Sequence, residues 1–137
     1  MMVTSIPMLV DGNPLGFHMT NVLAWLLFAL GVGHLFYACV KFRSPLAVAV
    51  SAGWIGQFKT PEIRRTAFWF LIFSPLLMLA GHTASHAVAV GDVALLKIVA
   101  IYAFETSLVG VAALPKSPFL AVLLLSALLL ARSHGWF

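Results

Sequence analysis

Apolar residues run almost unbroken through four stretches of the chain, and the charged positions gather between them. The 24 positions of 67–90 hold no Asp, Glu, Lys or Arg, whereas an α-helix needs only roughly 20 residues to cross a ~30 Å hydrocarbon core. The same pattern predicts four membrane helices, at about 18–40, 66–90, 93–113 and 119–131, in one all-α transmembrane domain covering 1–137. The last is short for a full crossing. Arg132 snorkelling, with Trp136 and Phe137 in the interface, would complete it; a half-inserted final helix is the alternative.

The connection 41–66 has an apolar middle, 46–55, broken up by Pro45, Gly53, Gly56 and Pro61. It is too short to cross, so an interfacial or re-entrant segment is expected. Thr60, Pro61 and Glu62 then read as N-cap, first position and first-turn acid of the second long helix. Pro7, Gly12, Asn13, Pro14 and Gly16 mark an irregular lead-in. The first 17 residues carry no Lys or Arg and so lack the basic region of a signal peptide.

Composition strengthens the membrane reading. The chain has 137 residues, 62% hydrophobic and 9% charged, against about a quarter charged in soluble domains. A net charge of +4 would elsewhere raise nucleic-acid binding. Here the basic residues flank apolar spans and instead report orientation. Lys41, Arg43, Lys59, Arg64, Arg65 and Lys116 lie on one side, Lys97 and Arg132 on the other. The first connection is therefore expected in the cytosol and both termini outside. The one cysteine, Cys39, excludes an internal disulfide and Cys-pair metal motifs and reads as a small packing residue.

Ionisable groups inside a span are costly and need a reason. Glu105 falls near mid-membrane, roughly 18 Å from the outer end of the third helix at 1.5 Å per residue. Tyr102, Thr106 and Ser107 accompany it. Two readings stand: a carboxyl gluing helices together, or a proton carrier and general acid/base. By the same spacing His86, His82 and His34 lie roughly 6, 12 and 24 Å down. With Glu105 they form a staggered ladder, provided all four face the bundle interior. His82, His86 and Glu105 also suit a metal site, although a His pair four apart is a weak signal and no cofactor is expected. Arg64 and Arg65 read as charge anchors or as a clamp for an anionic substrate or lipid head group.

Packing features complete the pattern. Gly31 and Gly33 allow a neighbouring helix close, and Ser74-Pro75 should kink the second span and open a space. Phe68, Trp69, Phe70 and Phe73 read as an interfacial belt more than a stacking box.

Gly31-Val32-Gly33-His34, Arg65-Thr66-Ala67-Phe68-Trp69-Phe70 and Leu114-Pro115-Lys116-Ser117-Pro118-Phe119 resemble an uncharacterised family of small four-helix membrane proteins. That family has Gly-x-x-His in its first helix, Trp-Phe opening its second and a Pro-x-Ser link before its last. Pro118 stands where its pattern has Gly. The resemblance implies a four-helix fold and points to His34, without implying an activity.

The expectation from the residues is a small membrane enzyme that isomerises or cyclises a terpenoid, sterol-like or polyketide molecule. Glu105 would move the proton, with His82 and His34 as partners. The alternatives are a noncatalytic accessory subunit and a proton-linked carrier. Expected partners are membrane lipids, a lipophilic small molecule, and a second copy or a larger membrane protein, with no nucleic acid.

Overall fold

The computed structural model describes residues 14–115 and 117–136. The described residues form five helices: α1 (Pro14–Lys41), α2 (Arg43–Ser51), α3 (Glu62–Val90), α4 (Val93–Ala113) and α5 (Phe119–Ser133). α1, α3 and α4 are long and apolar enough to cross a membrane; α5, with 15 residues, is shorter. The four expected spans therefore recur as helices, with α1 and α3 each beginning four residues earlier than expected.

Local chemistry explains each boundary. α1 stops at Lys41 because Pro45 has no N–H to offer the Lys41 carbonyl, yet Pro45 fits the first turn of α2, where amide donors lack partners anyway. α2 is too short to cross and packs against α1 and α3. α3 begins at Glu62 with Pro61 at the cap and no side-chain cap bond, so Thr60 is not the N-cap expected of it. Its other end closes in two residues. Gly91 takes the left-handed conformation, with φ at 73°, and the Asp92 amide donates back to the Ala87 carbonyl at 2.8 Å, a Schellman-type bond. Asp92 then caps α4 by accepting from the Leu95 amide at 2.9 Å. α4 ends at Ala113, and Leu114 leaves the helical region (φ −138°, ψ 78°), as a residue before proline prefers to do.

α1 packs on α3, α3 on α4, α4 on α5, and α5 back on α1. α1 and α3 run antiparallel: Asn21 accepts a hydrogen bond from Ser85 at 3.1 Å, Phe28 lies against Gly81 and Met78 against Gly31, and Ala38 clusters with Ala67. Much of the interior is built from small residues, packed around Leu27 and Leu129. Ala24, Ala84, Ala87 and Ala100 are buried alongside Ser74, Ser107 and Ser126. Each of those hydroxyls donates to a carbonyl of its own helix, Ser74 to Phe70 at 2.8 Å, Ser107 to Phe104 at 2.9 Å and Ser126 to Val122 at 2.7 Å. Small, internally satisfied residues let helix backbones approach closely without water. Many large side chains point the other way: Phe36, Trp69, Leu79 and Val109 are all more than 60% exposed. An apolar surface of this extent suits hydrocarbon rather than water.

Three expectations change. Gly33 has nothing near where a side chain would go, so Gly31 alone makes the close approach. Cys39 is exposed rather than packed. Arg132 folds inward instead of only snorkelling, its Nε donating to Thr20 Oγ1 at 3.1 Å and so tying the end of α5 to the start of α1. The lead-in before Pro14, Lys116 and Phe137 lie outside the described residues.

Candidate functional site

The chemically distinctive feature of the molecule is a groove of about 280 Å³ beside His34. His34 enters from α1. α3 supplies Trp69, Phe70, Ile72, Phe73, Leu76 and Leu77, and the α4–α5 link and α5 close the far side with Leu114, Ser117, Pro118, Phe119 and Val122. Trp69, Ile72 and Leu76 are also on the exposed outer surface, so the groove opens sideways through the apolar face of the protein.

Three local features build it. Pro75 sits in the middle of α3, amid the lining residues, where its ring displaces the helix backbone from regular hydrogen bonding. Gly110 has no side chain to meet the Phe119 ring, so that ring can lie against α4 and turn edge-on to Phe73, with centroids 5.2 Å apart. His34 is held by two rings: it stacks flat on Phe70 at 4.9 Å and meets Phe73 edge-on at 5.8 Å.

Three side chains in this wall carry polar atoms: His34, Ser117 and the indole of Trp69. The Ser117 hydroxyl is buried and has no hydrogen-bond partner among the described residues. A buried polar group in that condition is rare and calls for an explanation. Ser117 lies in the Pro-x-Ser link, but nothing in its spacing marked it as part of a site. Phe70 and Phe73, expected in an interfacial belt, are instead the rings that hold His34, whereas Phe68 packs on Phe58 and Trp69.

The other candidates lie elsewhere. Glu105, His82 and His86 are exposed on the outer surface of α4 and α3. His82 touches the Phe28 ring edge-on at 6.3 Å. The staggered ladder therefore does not line the interior, because helical phase turns three of its four members outward. Among the described residues, no three His, Cys, Asp or Glu side chains are grouped to hold a metal ion, which includes the set His82, His86 and Glu105. Arg64 donates to Gln57 Oε1 at 3.2 Å. Arg65 pairs with Glu62 at 3.6 Å across an exposed turn, a geometry worth little in stability.

No curated protein and no solved structure matches the chain. A family model described as a family of unknown function matches residues 18–136, a stretch that takes in all the groove residues. The chain belongs to this family, DUF6463.

Proposed function

We propose that this chain is a small multi-pass membrane protein that draws a lipophilic molecule sideways from the bilayer into the groove beside His34 and moves a proton on it. In this reading α1, α3, α4 and α5 all cross the membrane as a four-helix bundle. α2 lies in the cytosolic interface and both termini are on the opposite side, as the distribution of basic residues argues.

The observation that carries the proposal is the Ser117 hydroxyl, buried without a partner in the wall of an otherwise apolar groove. A ligand oxygen would satisfy it once rotation of the short side chain turned the hydroxyl toward the groove, while the hydrocarbon remainder would lie against Phe73, Leu76 and Phe119. The volume is close to the lower end of small-molecule sites, about 300–1,000 Å³. It suits part of a terpenoid, sterol-like or polyketide molecule whose remainder stays in lipid.

Isomerisation is the chemistry that these residues fit. Migration of a double bond removes a proton from one carbon and returns one to another, with no oxidant or reductant. A single imidazole can take and return that proton, while the Ser117 hydroxyl donates to the oxygen that gains charge. Glu105 and His82, both facing outward, have no part in this scheme.

Metabolite profiles of a deletion strain test the proposal, with membrane levels checked by blot. We expect a lipophilic precursor to accumulate in the deletion and to be cleared by the wild type and by Glu105→Gln, but not by His34→Ala. An unchanged metabolite profile in the deletion would contradict the enzymatic reading.

A further inference from the structure

The outer face of α4 carries an acidic side chain in the middle of a long apolar helix, and it points away from the protein. Leu96, Ala100, Ser107 and Gly110 form the buried face of α4. Tyr102, Glu105, Thr106 and Val109, spaced 0, 3, 4 and 7 along the same helix, form the opposite, exposed face. Glu105 lies roughly 18 Å from the start of α4 at 1.5 Å per residue, too deep for its short side chain to reach either head-group layer. It has no hydrogen-bond or ion-pair partner among the described residues. A carboxyl presented to hydrocarbon at that depth is costly, and such groups in membrane helices face protein or water instead.

We infer that this face is the contact between two copies of the chain, with Glu105 at its centre. The inference rests on the membrane placement proposed above, and not on the groove. The face is complementary to itself. A twofold axis along the membrane normal brings residues of equal depth together, so the Glu105 carboxyl of each copy meets the carboxyl and the Thr106 and Tyr102 hydroxyls of the other. Donors and acceptors are then supplied from one sequence, and interhelical hydrogen bonds replace contact with lipid. Glu105 is not among the groove residues, so pairing leaves the groove open.

Cysteine cross-linking in intact membranes tests this. In a Cys39→Ser background, Val109→Cys and Tyr102→Cys place thiols on the proposed contact. Val32→Cys is the control, exposed on α1, which does not pack on α4. Oxidation should convert most of the first two variants to disulfide-linked dimers and leave the Val32→Cys variant monomeric. Adding Glu105→Leu to Val109→Cys should weaken the association about tenfold, the scale of a hydrogen bond between membrane helices, and so raise the chain density needed for half-maximal cross-linking by that factor, whereas Glu105→Gln should leave it unchanged. A chain that resists carbonate extraction but cross-links no better at 109 and 102 than at 32 would overturn the inference and leave the membrane placement standing. Release of the chain by carbonate would overturn the membrane placement, and the inference with it.

Discussion

The imidazole of His34 lies flat on the ring of Phe70, with the centroids 4.9 Å apart and the planes inclined by 9°. α1 and α3 meet here through a heteroaromatic pair, and Phe73 fixes the ring from its edge. The face of His34 is thereby covered and its orientation set by apolar contact alone. The ring nitrogens have no hydrogen-bond partner among the described residues, and the surface facing the groove is almost wholly carbon.

Phe70→Leu should loosen this arrangement without emptying the core. Loss of the ring pair is expected to cost about 0.5–1.5 kcal/mol beyond the lost area, measured by reversible unfolding in mixed micelles. Because His34 is then held on one side only, uptake of a lipophilic ligand should fall as well. Unaltered stability together with unaltered uptake would show that the stacked pair neither supports the helix contact nor positions the imidazole.

Ser117→Ala separates a site residue from a packing residue by the sign of its effect. Leaving a buried hydroxyl unsatisfied costs about 1–3 kcal/mol, so its removal should raise the stability of the ligand-free protein while weakening the binding of an oxygen-bearing ligand. A packing role predicts the opposite for stability. Thermal unfolding with and without added isoprenoid alcohol distinguishes the two.

The glycines offer a paired test of helix contact. A side chain at Gly81 would run into the α1 backbone at Leu27 and Phe28, and one at Gly33 would meet nothing. Gly81→Leu should therefore force α1 and α3 apart, costing at least the 1–3 kcal/mol typical of an overpacked core. Gly33→Leu should be close to neutral. Equal effects at both positions, read as detergent-dependent unfolding, would contradict the observed α1–α3 register.

These residues also show what could be read from the chain in advance. Length and apolar runs located the four helices closely, since a helix must satisfy its backbone internally wherever water is absent, and Pro115 and Gly91 mark their ends. Helical phase was harder to read. Gly31 and Gly33 look equivalent in the sequence, but two positions along a helix turn the chain by roughly 200° at 3.6 residues per turn, and only one of them faces α3. The same rotation separates His34, which reaches the groove, from His82, His86 and Glu105, which face outward. A uniformly apolar helix has no amphipathic stripe to say which side is inside. The groove itself depended on contacts between α3 and the α4–α5 link, to which spacing along the chain is blind. Ser117 emerged only when its surroundings were known.

The measurement that tests the account most directly is photolabelling of the purified protein in lipid nanodiscs with a diazirine-bearing isoprenoid alcohol, followed by peptide mapping. Adducts should concentrate on Phe73, Leu77, Phe119 and Val122. They should be displaced by the unmodified alcohol and be lost in Leu76→Trp, where an added ring occupies the groove mouth. Adducts spread evenly over outward residues such as Phe36 and Val109, with no displacement by competitor, would mean that the surface merely contacts lipid and that the groove beside His34 is not a binding site.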